Sequence, residues 1–136
     1  MRVLLDTNRY VDFCSGVKEV VFNLQRAERI FLPLITLGEL RAGFLCGTKS
    51  AQNERTLATF LNSPRVEVLS PGEQTTHHYA RLFAALRARG TPIPTNDLWI
   101  AAQAIEHGYR LLTLNGNDFA GLPGLQLTLL SPKMQG

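Results

Sequence analysis

The sequence is poor in cysteine and contains no long hydrophobic run. Its two cysteines, Cys14 and Cys46, lie far apart and form no CxxC pair, so neither a disulfide framework nor a thiolate zinc site is predicted. No stretch approaches the ~18 apolar residues of a membrane span, and the apolar residues before Asp6 are too few for a signal-peptide core. We therefore expect a soluble, cytoplasmic protein whose cysteines are reduced.

The bulk composition is that of one compact domain. The chain has 136 residues, of which 45% are hydrophobic, and no segment has the composition of a linker, so residues 1–136 are expected to form a single domain. The formal net charge of +3 permits a polyanionic partner without requiring one. A surface of mixed, solvated charges explains this value equally well.

Strand and helix patterns alternate along the chain. Five short apolar runs have strand character, namely "RVLL", "IFL", "VEVL", "YRLLTL" and "LQLTLL". Apolar residues at helical spacing predict helices between them, over residues 17–24, 36–46, 50–63, 73–89 and 95–107. Thr36 and Thr95 are the expected N-caps of two of these helices, and Gly47, Gly90 and Gly108 are the expected ends of three. The alternation predicts an α/β/α sandwich around a mostly parallel sheet.

Four acidic side chains are expected to share one edge of this sheet. In open α/β folds the working crevice lies outside the carboxyl ends of the strands, where several helices also begin. The acids predicted at this edge are Asp6 after the first strand, Glu39 in the first turn of a helix, Asp97 at the start of another helix, and Asp118 after the fourth strand.

Each of these acids also has a structural explanation. Asp6 could cap a helix, Thr36 and Glu39 have the spacing of a capping box, Asp97 suits the positive end of a helix dipole, and Asp118 suits a turn. Their predicted convergence favours a functional site, because like charges on one edge repel each other unless a cation neutralises them. Oxygen ligands of this kind are preferred by Mg²⁺ and Mn²⁺.

A metal held by carboxylates beside a basic surface indicates hydrolysis of phosphodiester bonds. Four of the 11 acids belong to the predicted site, so 14 basic residues face seven acids elsewhere, which suits a nucleic-acid backbone. Arg9 and Arg41, close in sequence to Asp6 and Glu39, are candidates for RNA phosphate contacts, although ordinary exposed arginines remain the alternative. No serine or cysteine with a catalytic partner stands out, so a covalent intermediate is disfavoured.

Trp99 follows Asp97 by two residues and could stack on a nucleobase. The segment "LWIAAQAI" is apolar nearly all round, which predicts instead that this indole packs between helix and sheet or at a dimer contact.

Four segments, "LLDTN", "ITLGELRAG", "NDLWIAAQAIEHGYRLLTLNGNDF" and "LPGL", span essentially the whole chain. In order and spacing they resemble the PIN domain, in particular the VapC-type toxins of bacterial toxin–antitoxin pairs. The resemblance implies a metal-dependent endoribonuclease with a parallel sheet between helices. It also implies a homodimer, inhibited by a VapB-type antitoxin whose tail blocks the acidic pocket.

The family pattern assigns roles to individual residues. By this resemblance, Asp6 and Asp97 bind Mg²⁺ or Mn²⁺ directly, and Glu39 helps to bind the metal or accepts a proton during hydrolysis of single-stranded RNA. The polar residues that follow Asp6 match those that orient the first acid or hold a water molecule, and another polar residue precedes the third acid. These supporting residues are Thr7, Asn8 and Asn96.

One position departs from the family pattern. Many members have Asp where this chain has Asn115, and the acid here is Asp118, three residues later. An amide oxygen can hold water or a cation but adds no charge. The resemblance therefore implies one firmly bound ion, a second held more weakly, and Asp118 as the least certain acid.

Three other functions remain open at this point. A haloacid-dehalogenase-like phosphatase requires a second Asp where this chain has Asn8, and a receiver domain requires a Lys on its last strand, for which Lys133 comes too late. The third alternative is a PIN domain that binds RNA or a protein partner with weak or no nuclease activity.

Overall fold

The computed structural model describes residues 1–113, 119, 122 and 124–129. Within these residues the strands are β1 (Arg2–Leu4), β2 (Arg29–Pro33), β3 (Val66–Leu69), β4 (Arg110–Thr113) and β5 (Gln126–Leu129). The helices in the same residues are α1 (Thr7–Cys14), α2 (Lys18–Arg26), α3 (Leu34–Cys46), α4 (Ser50–Leu61), α5 (Glu73–Arg89) and α6 (Thr95–His107). Every strand predicted from an apolar run is confirmed.

The strands form one sheet in the order β3-β2-β1-β4-β5, and all four neighbouring pairs are parallel. The predicted parallel α/β architecture is therefore confirmed. The chain moves outward from β1 to β3 on one side and continues with β4 and β5 on the other. This reversal places the switch point between β1 and β4, where parallel α/β sheets form their binding crevice.

Successive side chains of β1 enter opposite faces of the sheet, as strand geometry requires. Val3 and Leu5 join the hydrophobic cluster that includes buried residues of α1 to α4, whereas Leu4 joins the cluster that includes buried residues of α5 and α6. All three side chains are fully buried. Four helices thus cover one face and two cover the other, which explains the uninterrupted apolar run at the start of the sequence.

The two threonines predicted as N-caps do not occupy those positions. Helices α3 and α6 begin earlier, with Pro33 and Pro94 as their N-cap residues, both in extended conformations. Thr36 is fully buried inside α3, and its hydroxyl donates to the carbonyl of Leu5 at 3.5 Å. The prediction was wrong because a proline already holds the extended backbone that precedes a helix, so no side-chain cap is needed there.

The predicted helix ends are confirmed. Gly47 follows the last residue of α3, and Gly90 and Gly108 end α5 and α6 in the left-handed conformation, with φ of 70° and 71°. This backbone conformation favours glycine because other residues meet a steric penalty there. Helix α1 is the helix that Asp6 was expected to cap, although no range was predicted for it. None of the helices in the described residues is long and apolar enough to cross a membrane.

Truncating Leu57 should test the packing of the cluster beneath α4. Leu57 is fully buried, whereas Leu45 on α3 is 80% exposed. We expect Leu57→Ala to lower the free energy of unfolding by about 2–5 kcal/mol, because it removes buried contacts and leaves a cavity. Leu45→Ala should change it by less than about 0.5 kcal/mol. Urea unfolding followed by circular dichroism measures both, and equal effects would contradict the packing described here.

Candidate functional site

Asp6 lies directly beyond the carboxyl end of β1 and caps α1. Its backbone is extended, and its Oδ1 accepts a hydrogen bond from the backbone N–H of Arg9 at 2.8 Å. The structural explanation of this residue as an N-cap is thus confirmed. The cap engages one oxygen of the carboxylate with a single described donor, and a carboxylate offers about four lone-pair sites. Capping therefore leaves Asp6 able to bind a further group.

The electrostatic surroundings of Asp6 disfavour its charged form. Burial raises the pKa of this carboxyl above its ordinary value, and repulsion from Asp97 and Asp12 raises it further. The hydrogen bond from the Arg9 backbone and the charge of the Arg9 side chain act in the opposite direction. The repulsion shows that the first and third predicted acids, 91 residues apart in sequence, act on each other across the switch point.

Glu39 is joined to both neighbouring elements of the site by hydrogen bonds. Thr7 Oγ1 donates to Glu39 Oε1 at 2.5 Å, and Asn96 Nδ2 donates to Glu39 Oε2 at 3.2 Å. Thr7 follows Asp6 in the chain, and Asn96 precedes Asp97. The three predicted acids thus belong to one arrangement, the Glu39 bridge, which connects the first turns of α1 and α6 through α3.

The position of Glu39 differs from the expected one. Because α3 begins at Leu34, Glu39 lies in its second turn rather than its first. The predicted capping box with Thr36 does not form, since the Thr36 hydroxyl donates to Leu5. Glu39 is instead oriented by the two polar residues of the bridge.

A buried ion pair on α1 was missed at the sequence level. Arg9 Nε lies 3.0 Å from Asp12 Oδ2, and the exposed fractions of their side chains are 9% and 13%. Arg9 is therefore not an ordinary exposed arginine. The spacing of three residues on a helix was the available signal. Arg41 is exposed, and its Nε lies 3.1 Å from Glu54 Oε1.

Three further residues were predicted at the site, namely Asn8, Asn115 and Asp118. Asn8 is exposed on α1. Asn115 and Asp118, with the predicted "NGN" turn, lie outside the described residues. Within the described part of the chain, no three Asp, Glu, His or Cys side chains form a group that could hold a metal.

Trp99 of α6 packs against the neighbouring helix α5. It is half-buried and stacks on Tyr79 of α5, with ring centroids 4.3 Å apart and an interplanar angle of 30°.

Comparison with known proteins identifies the family to which this chain belongs. The model of the PIN domain family matches residues 3–125. The chain belongs to the PIN-domain family. It is 34% identical to ribonuclease VapC4 of Mycobacterium tuberculosis over 128 residues, which cover 93% of this chain and 95% of that protein. It is also 32% identical over 133 residues to the tRNA(fMet)-specific endonuclease VapC of Salmonella typhimurium, covering 93% and 96%.

Solved structures of PIN-domain proteins share the fold over nearly the whole length. VapBC2 from Rickettsia felis, bound to a DNA fragment from its promoter, superposes with a TM-score of 0.84 at 30% identity, covering 96% of this chain and 100% of that one. VapBC-1 from Haemophilus influenzae gives 0.83 at 29% identity, covering 95% and 98%. The similarity to VapC-type PIN domains stated from sequence motifs is confirmed.

Substitution of Asp6 should reveal the energetic cost of its charge. Because the folded state holds the Asp6 proton more tightly than the unfolded chain, the contribution of Asp6 to the free energy of unfolding falls as the pH rises above about 4. Asp6→Asn keeps a capping oxygen and removes the charge. We therefore expect its stability relative to wild type, measured by urea unfolding in EDTA, to be greater at about pH 7 than at about pH 4.

Asp6→Ala is the matched control because it removes both the cap and the charge. It should be less stable than Asp6→Asn by about 0.5–2 kcal/mol. A relative stability of Asp6→Asn that falls as the pH rises would show that the carboxylate is stabilised in the fold.

Proposed function

We propose that this PIN domain is a metal-dependent endoribonuclease that hydrolyses phosphodiester bonds in RNA, and that it is the toxin of a VapBC-type pair. The observation that carries the proposal is the Glu39 bridge, which ties Asp6 and Asp97 to one edge of the sheet at its switch point. Relatives that match over more than nine-tenths of the chain include two named ribonuclease VapC and one named tRNA(fMet)-specific endonuclease VapC.

The side chains at this edge suit Mg²⁺ or Mn²⁺. Asp6 and Asp97 repel each other, and hard cations prefer carboxylate oxygens to the nitrogen and sulfur ligands favoured by zinc. Asp6 and Asp97 would hold the ion, Asp118 is proposed as a further acid, and Asn115 is proposed as a supporting residue. A bound divalent cation lowers the pKa of a water molecule and stabilises negative charge on the phosphate.

The residues around the acids have distinct proposed roles. Glu39 accepts one described hydrogen bond at each oxygen, so each oxygen keeps a lone-pair site with which Glu39 can take a proton from the attacking water. Thr7 and Asn96 orient this carboxylate. The exposed Asn8, next to Thr7, can hold a water molecule at the rim of the site.

The two arginines named from the sequence differ in their surroundings. Arg41 is half-exposed and can exchange its ion pair with Glu54 for an RNA phosphate. The burial of Arg9 and its ion pair with Asp12 favour an electrostatic role at Asp6, whose pKa its charge lowers, over a direct contact with phosphate.

The proposed protein partner is a VapB-type antitoxin. The solved neighbours include VapBC complexes bound to DNA and a toxin–antitoxin complex from Klebsiella pneumoniae. We propose that this chain forms a homodimer whose acidic pockets are blocked by the antitoxin tail.

Removing one acid should abolish cleavage without unfolding the protein. Asp97→Asn keeps the size of the side chain but loses the charge that would hold the cation, so we expect cleavage of structured RNAs to fall by at least about 100-fold. EDTA should have the same effect on the wild type. Rates are measured on purified protein with Mg²⁺ or Mn²⁺, after circular dichroism has confirmed folding.

Glu28→Gln is the matched control for charge. Glu28 precedes β2 at the opposite edge of the sheet, and its side chain is 68% exposed, so its loss should leave cleavage unchanged. Full activity of folded Asp97→Asn would refute the proposed site, and a wild type that binds RNA without metal-dependent cleavage would indicate a binding function.

The Glu39 bridge gives a second prediction. Thr7→Val removes the hydroxyl that orients Glu39, and we expect kcat to fall by about 10–100-fold with a smaller change in KM. Thr7→Ser retains the hydroxyl and should restore most of the rate. Equal rates for the valine and serine variants would mean that the hydrogen bond to Glu39 has no part in catalysis.

A further inference from the structure

Helices α5 and α6 form an antiparallel hairpin with a cleft at one end. At the far end, the hydroxyl of Thr75 near the start of α5 donates to Glu106 near the end of α6. At the opposite end lies a cleft of about 320 Å³, which is enclosed by the last turns of α5, the segment that follows and the first turn of α6. Thr95 and Leu98 line this cleft, and Asp97 lies between them in the sequence. The first turn of α6 thus contributes residues both to the cleft and to the Glu39 bridge.

Aromatic rings form one side of the cleft. Tyr79 and Phe83 both line it, with ring centroids 6.4 Å apart and an interplanar angle of 21°. Tyr79 also stacks on Trp99, so three rings follow one another from the α6 side outward. Phe83 is 48% exposed, which leaves an aromatic surface open to a planar ligand.

The remaining lining combines one cation with apolar side chains. Arg87 lines the cleft, is exposed, and makes no ion pair with the residues that the structure describes. A guanidinium can stack on a planar ring or bind a phosphate through two hydrogen bonds. Ile93 and Leu98 supply the apolar floor. This combination suits a flat heterocycle that carries a nearby anion, which is the chemistry of a nucleotide.

We propose that this cleft binds one unstacked base of the RNA strand beside the bond that is cut. Phe83 and Tyr79 provide the stacking surface, and Arg87 contacts an adjacent phosphate. The inference rests on the proposed ribonuclease function and names its substrate as a single-stranded segment with a base free to leave the stack. Stacking accepts every base, so the cleft positions the strand rather than reading its sequence.

Binding of fluorescent RNA tests the stacking surface directly. Single-stranded RNA octamers carrying 2-aminopurine at each position in turn are added to the full-length protein in EDTA, where binding is separated from cleavage. For at least one position we expect quenching of the fluorescent base on binding. Phe83→Ala should weaken binding by about 5- to 100-fold and abolish that quenching, whereas Phe83→Trp should retain both.

The chain offers a matched control and a second variant. Phe22 on α2 is 56% exposed and lies outside the cleft, so Phe22→Ala should leave binding and quenching unchanged. Phe83→Leu keeps an apolar side chain without an aromatic face, and it replaces Phe83→Ala if that variant does not fold. It too should lose the quenching.

Salt dependence tests the cationic contact. Arg87→Gln should reduce the slope of log affinity against log salt concentration by about 0.7, the value expected for one phosphate contact on a single strand. Arg81 is an exposed arginine of α5 outside the cleft, and Arg81→Gln should leave the slope unchanged. Equal slopes for the Arg87 variant and wild type would remove Arg87 from the site.

Three results would overturn the inference, and they identify which proposal failed. If wild type cleaves RNA with metal while Phe83→Ala and Phe83→Leu bind RNA and quench its fluorescence normally, no nucleobase binds in the cleft. The proposed ribonuclease function is then unaffected. If these variants leave the RNA affinity unchanged but alter the mass of the protein measured by sedimentation, a second copy of this chain covers the cleft. If the wild type neither binds nor cleaves RNA, the proposed function fails and this inference with it.

Discussion

The carboxylate of Glu39 holds together three parts of the chain that are far apart in sequence. It accepts hydrogen bonds from Thr7 at the start of α1 and from Asn96 at the start of α6. These donors are the immediate neighbours of Asp6 and Asp97, so the same bridge that joins the helices also fixes the relative positions of the outer two acids. The parallel sheet makes this possible because β1 and β4 end at the same edge.

The outer two acids of the bridge repel one another. Burial and repulsion from Asp97 and Asp12 disfavour the charged form of Asp6. The role of Asp6 as an N-cap does not require Asp97 to be close. Arg9 offsets part of this repulsion from within the buried ion pair with Asp12. Charged groups that repel each other within a fold are typical of functional sites, where some stability is exchanged for function.

The sequence predicted much of the fold, because the features that decide it are local and repeated. The strands could be predicted because a buried parallel strand must be apolar on both sides. The ends of α5 and α6 could be predicted because Gly90 and Gly108 adopt a left-handed backbone. The starts of α3 and α6 were misplaced because Pro33 and Pro94 perform without a hydroxyl the role assigned to a threonine.

The site was predicted less completely than the fold because hydrogen bonds depend on tertiary geometry. Chain order predicted that Asp6 and Asp97 share one edge, since in a parallel sheet the strands end, and the helices that return to the next strand begin, at the same edge. Nothing local distinguished the true partner of Glu39, which is Thr7 from another helix, from Thr36 at capping-box spacing. The spacing of Arg9 and Asp12 permits an ion pair but does not indicate its burial, because an arginine at a helix start usually lies in solvent.

Residues in the first turn of α6 interact with three different parts of the molecule, because successive side chains of a helix point in different directions. Successive side chains are rotated by about 100°, so Asn96 reaches Glu39 and Asp97 acts on Asp6, while Thr95 and Leu98, three residues apart, line the aromatic cleft. A rotation of α6 that improved one of these contacts would disturb the other two. The lining of the cleft and the Glu39 bridge are therefore connected through one helical turn.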